Sequence, residues 1–222
     1  MQYVDFISDF HKITKRDYLG RVNDPVFPKY KAAHLAKKWD YDYWDGSRDI
    51  NYGGYHYDGR WEPIAKKIID FYKIKTGYKI LDIGCGKGFL LYEIQKQVPG
   101  VIVRGLDISR YAIKNAKKEV KEFLDLGHAN KLPYSDNEFD LILSINTLHN
   151  LYCFDLFSAL KEIERVGKNK KYICVESYRN EFEKVNLLYW QVTCESFYNV
   201  DEWKWIFKQT NYRGDHSFIY FE

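Results

Sequence analysis

A glycine-rich segment, Leu81-Asp82-Ile83-Gly84-Cys85-Gly86-Lys87-Gly88-Phe89, lies where a predicted strand is followed by a predicted helix. Glycines at such a turn let the backbone bend tightly and let a ligand approach it closely. The spacing is G-x-G-x-G, and the bulky Phe89 stands where the dinucleotide fingerprint has its last small residue. No Gly-Lys-Ser/Thr sequence follows at P-loop spacing. The segment is therefore a candidate ligand-binding turn that is neither of the NAD type nor a P-loop.

A carboxylate follows at the end of the next predicted strand. Asp107 lies where an acidic residue can accept hydrogen bonds from both hydroxyls of a ribose. Taken alone, Asp107 could simply belong to a helix cap, because Ser109 lies beside it. Together with the glycine loop, it favours binding of a ribose.

Three further polar residues end or follow the fourth and fifth predicted strands, at the edge of an open α/β sheet where ligands bind. An unperturbed histidine pKa suits proton removal near neutrality, so His149 is a candidate general base. Alternatively, His149 only positions a helix. Asn146 and Glu176 could hold an acceptor or cap the next helices. A divalent metal would need more acidic ligands than these, so no metal site is predicted.

The elements that would position these residues alternate along the chain. Apolar segments predict strands at 78–83, 101–107, 122–128, 139–146, 171–177 and 217–221. Helical spacing predicts helices at 32–39, 62–72, 88–98, 109–120, 154–166 and 201–209, with Ser109 as an N-cap and Gly167 as a stop. This alternation implies right-handed crossovers and a mainly parallel sheet with helices on both faces.

The region before this pattern is different, and we predict that residues 1–61 form an aromatic-rich cap or lid on a core domain at 62–222. Eight of the 23 residues from 39 to 61 are aromatic, and acidic residues lie among them. Tyr52, Tyr55 and Tyr57 offer aromatic faces that suit a sugar or another polyol, and Arg60 suits a phosphate or carboxylate. Alternatively, the segment is a hydrophobic cover over the sheet.

Four segments in chain order resemble the motifs of class I S-adenosyl-L-methionine (SAM)-dependent methyltransferases, over about residues 62–177. They are 81–88, 105–109, Gly127-His128-Ala129-Asn130-Lys131-Leu132-Pro133-Tyr134 and the fourth-strand segment 139–149. The resemblance implies an α/β, Rossmann-like fold with a mostly parallel, seven-stranded sheet and helices on both faces.

The resemblance also implies which residues bind SAM: Asp82, Gly84, Cys85, Gly86, Gly88, Asp107, Ile108, His128, Ala129, Ser144 and Asn146. The glycine loop would hold the methionine part, and backbone at 144–146 would receive its amine. Asp107 would hold the ribose, and Ile108 and Ala129 would contact the adenine. The family usually has Asp where this chain has His128. A neutral imidazole can accept a hydrogen bond from the adenine amino group in only one tautomer.

Composition limits the partners that we expect. The net charge is +3, and the basic residues are spread along helices, so no nucleic-acid face is predicted. No apolar run approaches the ~20 residues of a membrane span, and no signal peptide is recognised, so we expect a cytoplasmic protein without membrane insertion. Four cysteines without metal-ligand spacing are expected to be free thiols. Monomer and homodimer both stay open.

We therefore predict methyl transfer from SAM to a small-molecule acceptor, with S-adenosylhomocysteine as the product. The whole chain, including Trp-Asp-Tyr-Asp-Tyr-Trp-Asp-Gly at 39–46, also resembles bacterial methyltransferases of surface polysaccharide or capsule assembly. That resemblance implies O-methylation of a sugar or of a phosphate-like (phosphoramidate) group. Two alternatives remain: N-methylation of an amine metabolite, which needs no dedicated base, and a non-catalytic module that binds SAM or a partner.

Overall fold

The computed structural model describes residues 1–13 and 16–222, and a six-stranded parallel sheet forms its centre. The strands are β1 (Lys79–Ile83), β2 (Ile102–Asp107), β3 (Leu124–Leu126), β4 (Phe139–Ile145), β5 (Gly167–Glu176) and β6 (Asp215–Ile219). Their order is β3-β2-β1-β4-β5-β6. The chain therefore runs outward from β1 to β3 and then restarts at β4, which makes the carboxyl ends of β1 and β4 a topological switch point, where open α/β sheets bind ligands.

Helices pack on both faces of the sheet. They are α1 (Ser8–Ile13), α2 (Tyr18–Asn23), α3 (Lys29–Ala36), α4 (Tyr41–Trp44), α5 (Glu62–Tyr72), α6 (Phe89–Gln97), α7 (Arg110–Lys114), α8 (Cys153–Val166), α9 (Glu181–Trp190) and α10 (Val200–Gln209). Successive strand residues face opposite ways. Thus Ile80 packs in the core that contains α5 and α6, whereas Leu81 packs in the core that contains α8 and α10. The Rossmann-like fold predicted from the sequence is confirmed.

The predicted seventh strand is not present among residues 1–13 and 16–222. The outer edge of β6 is instead met by the start of the chain, where Tyr3 forms an isolated parallel bridge with His216. The His216 carbonyl accepts a hydrogen bond from the Val4 N–H, and the His216 N–H donates to the Gln2 carbonyl. These bonds satisfy part of the edge that another strand would cover.

Several elements differ from the prediction in their bounds, and some helices were not predicted. Helix α7 is capped by Ser109 as expected but ends at Lys114, and the Lys117 N–H then donates to the Lys87 carbonyl of the glycine loop. Helix α8 ends at Val166 with Gly167 as its C-cap, as predicted, and Gly167 is extended and begins β5 directly. Helix α9 was not predicted; its N-cap is Asn180.

The first 61 residues pack on the sheet at two places. Phe6 and Ile7 are buried in the same core as α5 and β5. Residues 32–55 form a smaller cluster in which Tyr43 and Trp44 contact buried residues of α7 and of the segment after α9. Among the described residues, no helix combines the length and the apolar character that crossing a membrane requires.

Candidate cofactor and acceptor site

A cavity of about 380 Å³ lies at the carboxyl ends of β1, β2 and β4. This volume falls within the ~300–1,000 Å³ typical of small-molecule sites. One wall comes from the strand ends and the loops that follow them; it includes Asp82, Gly84, Gly86, Asp107, Ala129 and Asn146. The opposite wall comes from residues 39–61 and includes Trp39, Tyr43, Trp44, Tyr52, Tyr55 and Trp61. The cavity therefore joins the two segments that the sequence marked separately.

The three glycines of the loop have backbone angles and close contacts that other residues would tolerate poorly. Gly84, Gly86 and Gly88 have φ angles of 79°, 54° and 74°, in the left-handed region that side chains disfavour. A Cβ at Gly84 would overlap the side chain of Thr147, and one at Gly86 would lie 2.8 Å from the Trp44 ring. The loop therefore keeps its backbone close to the cavity.

Asp107 holds this loop in place. One carboxylate oxygen accepts from the Gly86 N–H at 2.8 Å, and the other accepts from the Ser109 N–H at 2.8 Å. Burial raises the pKa of Asp107, and the two N–H groups oppose that effect. Each carboxylate oxygen has a further acceptor position. Asp107 lines the cavity, so hydroxyl groups of a ligand can still donate to it.

Asp82 lines the same cavity and is nearly buried, at 4% exposure. Within residues 1–13 and 16–222, no hydrogen bond or ion pair reaches its carboxylate. Burial, together with the negative charge of Asp107, raises the pKa of Asp82 to about 7. A buried carboxylate without a partner is costly, so this position suits a ligand that brings a cationic or donor group.

Comparison with known proteins identifies the family. A family model described as a methyltransferase domain matches residues 74–211. The chain belongs to this family. Class I members use SAM as the methyl donor, and the cavity offers one carboxylate that can accept from ligand hydroxyls, Asp107, and one unpaired carboxylate, Asp82.

Individual relatives have varied names. The chain is 34% identical over 110 residues to a mitochondrial arginine-hydroxylase from Mus musculus, covering 48% of this chain and 31% of that protein. It is 28% identical over 160 residues to a demethylmenaquinone methyltransferase from Staphylococcus saprophyticus, covering 65% and 67%. The chain thus spans about a third of the length of the mouse protein.

A solved structure agrees with the fold. The YcgJ protein from Bacillus subtilis has a TM-score of 0.55 to this chain, with 22% identity and 66% of each chain covered. At that identity the likeness concerns the fold alone.

Nine of the eleven predicted SAM contacts line the cavity: Asp82, Gly84, Cys85, Gly86, Asp107, Ile108, His128, Ala129 and Asn146. The remaining two, Gly88 and Ser144, do not. Gly88 is the N-cap of α6, and a Cβ there would lie 2.9 Å from Val120. Ser144 is fully buried and donates to the Ile83 carbonyl at 3.1 Å, which joins β4 to β1. Both residues support the glycine loop and the strand before it without reaching the cavity.

The hydrogen bonding of His128 defines its tautomer. Its Nδ1 accepts from the Asn130 N–H at 3.2 Å, so in the neutral ring Nε2 carries the proton. The ring therefore presents a donor, whereas the Asp usual in the family presents an acceptor.

The aromatic residues of the cap hold one another. Trp44 donates from its indole to the Ser109 hydroxyl at 2.9 Å and stacks on Tyr52. Tyr55 stacks on Phe89 of α6. Tyr52 and Tyr55 line the cavity as the sequence predicted.

Two other predicted acceptor residues lie elsewhere. The Tyr57 hydroxyl donates to Glu93 on α6. Arg60 is exposed and pairs with Asp58 on the surface. Neither lines the cavity, because each side chain is already engaged on the outer side of the segment.

His149 and Glu176 also lie outside the cavity lining. The His149 ring is buried in the turn after β4, and its Nδ1 accepts from the Glu176 N–H at 3.3 Å. Burial lowers the pKa of His149 to about 3. The His149 carbonyl accepts from the N–H groups of Glu195 and Ser196. These contacts connect the segment after α9 to β5 through His149. They give His149 a structural role, which was the alternative to a general base.

Sequence reasoning missed several residues of the site. Thr147 and Thr193 line the cavity, and so do Lys37 and Glu195, which form an ion pair. Lys87, inside the glycine motif, is itself buried and lies outside the cavity lining, where it pairs with Asp45 of the cap. In the sequence, only the lysine within the glycine motif hints at this ion pair, because Lys87 and Asp45 are distant along the chain. No group of three or more His, Cys, Asp or Glu residues in the described part of the chain could hold a metal ion.

Proposed function

We propose that this chain transfers the methyl group of SAM to a small acceptor enclosed between the glycine loop and the aromatic cap. The proposed acceptor atom is an oxygen of a sugar or of a phosphate or phosphoramidate group, in surface polysaccharide or capsule biosynthesis. We further propose that the enzyme acts in the cytoplasm as a monomer or homodimer. The single observation that carries the proposal is the continuity of one cavity from the predicted SAM residues to the cap.

The acceptor wall suits an amphipathic polyol. Tyr52, Tyr55 and Trp61 present aromatic rings, on which the apolar face of a sugar can lie. Asn146, on the strand-end wall, and Thr193 supply polar groups to the same cavity. SAM supplies an electrophilic methyl group on a sulfonium, so the chain's own task is to orient the acceptor and exclude water.

N-methylation of an amine is the second candidate, and one observation favours it. The His149 ring lies outside the cavity lining, so the base expected for a hydroxyl acceptor is not at hand there. A neutral amine, or an oxygen that is already ionised such as a phosphate, has a free lone pair and needs no dedicated base. The position of His149 therefore favours the phosphate-like acceptor over a plain sugar hydroxyl within our first proposal.

An acceptor screen tests both candidates. The protein is incubated with SAM and separate panels of sugars, sugar phosphates and amines, and S-adenosylhomocysteine is quantified by mass spectrometry. Asp82→Ala is the matched inactive control, because it removes the unpaired carboxylate of the SAM site.

Turnover with sugars or sugar phosphates supports the first proposal. Turnover with amines alone replaces it by the second candidate. Binding of SAM without turnover on any panel contradicts both and indicates a non-catalytic module.

A further inference from the structure

An ion pair joins the aromatic cap (residues 39–61) to the centre of the glycine loop (residues 84–88), the proposed SAM loop. Lys87 belongs to the loop, and its side chain is only 3% exposed. Its ammonium group donates to both carboxylate oxygens of Asp45 at 2.7 Å and to the Tyr55 carbonyl at 2.8 Å. All three donor positions of Lys87 are therefore directed at the cap.

The Asp45 carboxylate accepts two further hydrogen bonds. Asp45 accepts from the Tyr55 N–H at 3.0 Å and from the Tyr111 hydroxyl at 2.8 Å. Tyr111 lies in α7, the helix that follows Asp107. Burial acts to raise the pKa of Asp45, but these hydrogen bonds, with that of Lys87 the largest, hold it below its usual range. The ionised Asp45 carboxylate thus connects the cap to the SAM loop and to α7.

The neighbour of Asp45 in sequence touches the same elements. The Trp44 ring lies over Gly86, and its indole donates to Ser109, the cap of α7. Lys87, Asp45 and Tyr111 do not line the cavity, whereas Trp44 and Tyr55 do. The ion pair can therefore act on ligands only through the residues that it positions.

We propose that Lys87 is a positioning residue that couples occupancy of the SAM loop to the order of the acceptor wall at 43–55. The coupling rests on the proposed function, because SAM is taken as the ligand of the loop. A ligand that orders the loop also orders Lys87, and through Asp45 and Tyr55 it fixes the cap. Without the ion pair, the loop would still bind SAM, but the cap would no longer respond.

Hydrogen exchange measures this directly. Exchange of peptides covering 41–57 is followed by mass spectrometry with and without S-adenosylhomocysteine, whose affinity is measured by calorimetry. In the wild type, we expect the ligand to slow exchange at least about tenfold in this segment. In Lys87→Met we expect affinity within about tenfold of wild type but little or no ligand-induced protection, because the buried charge link is gone.

Three companion variants sharpen the result. Asp45→Asn is expected to behave as Lys87→Met, and Lys87→Arg to restore part of the protection. Lys66→Met is the matched control, because it removes a lysine from an exposed pair with Asp70 on α5, and it should match wild type. If Lys87→Met does not fold, Asp45→Asn takes its place, because it removes the charge of the partner and keeps Lys87; loss of the ligand-induced protection then supports the coupling.

The outcomes separate the two proposals. Undiminished protection of 41–57 in folded Lys87→Met, or in Asp45→Asn where the former does not fold, overturns the coupling alone. A wild-type protein that binds neither SAM nor S-adenosylhomocysteine overturns the proposed function, and the coupling with it.

Discussion

The Nε2 atom of His149 lies 3.4 Å from Oε2 of Glu176, and both side chains are buried. Because Nδ1 of His149 accepts a backbone N–H, Nε2 carries the proton of the neutral ring and faces the carboxyl group. Burial lowers the pKa of His149 to about 3 and raises that of Glu176 to about 8. The two groups therefore shift the pH dependence of folding in opposite directions.

The contribution of this pair to stability should have a plateau and two falling limbs. From pH 4.5 to 6.5, Glu176 keeps an extra proton in the folded state while His149 gains one in the unfolded state, so the effects cancel. Above pH 6.5 only Glu176 of the pair contributes, and the stability that the pair supplies falls up to about pH 8. Below pH 4.5 only His149 of the pair contributes, and the stability that the pair supplies falls toward about pH 3. Each limb has a slope of about 1.4 kcal/mol per pH unit.

Urea unfolding of wild type and Glu176→Gln, between pH 5.5 and 8.5, checks the alkaline limb. The variant should lose the decline that wild type shows above pH 6.5. Parallel curves for the two proteins would show that Glu176 does not titrate in this window.

Removing the His149 ring should affect stability more than chemistry. In His149→Gln we expect kcat to fall less than about tenfold, because loss of a general base costs ~100–10,000-fold. The measurement is kcat and kcat/KM against pH, with the acceptor that the screen identifies. A drop beyond about a hundredfold in a variant of unchanged melting temperature would instead restore His149 as the base.

Asp107→Ala should weaken SAM binding by ~1–3 kcal/mol, because the ribose hydroxyls lose their acceptor. The same substitution also frees the Gly86 N–H, so part of the loss reflects a looser loop. Calorimetry with SAM and with S-adenosylhomocysteine gives the affinity. Asp70→Ala, at an exposed site on α5, is the control. Unchanged affinity in Asp107→Ala would disprove the ribose assignment.

The sequence predicted the fold where local patterns and burial agree. The alternating strands and helices and the Ser109 cap were readable because their residues alternate between two cores or cap a helix locally. Helix α9 was missed, since its apolar residues do not lie along one clear face of the helix. The N-terminal pairing of Tyr3 with His216 joins opposite ends of the chain, and no local pattern reports it.

The site residues that lie at strand ends could be predicted from the sequence, and the others less well. Asp82 and Asp107 lie at the carboxyl ends of β1 and β2, and Asn146 directly follows β4, so the parallel sheet alone brings them to one edge. His149 also follows a strand, but which way its ring turns depends on packing against Glu176. Spacing along the chain does not encode that direction.

His128 gives the last prediction. Its Nδ1 accepts from the Asn130 N–H, so the free ring nitrogen, Nε2, carries the proton and is a donor. In this arrangement the neutral ring cannot accept a hydrogen bond from the adenine amino group. His128→Asp supplies an acceptor at that position, and we expect SAM to bind ~3–10-fold more tightly, the value of about one hydrogen bond. His128→Ala, which removes the donor without adding an acceptor, is the control and should change affinity little. Calorimetry with SAM distinguishes these outcomes. Weaker binding by His128→Asp together with a marked loss in His128→Ala would mean that the Nε2–H itself donates to SAM, and that this chain recognises adenine with the polarity opposite to that usual in its family.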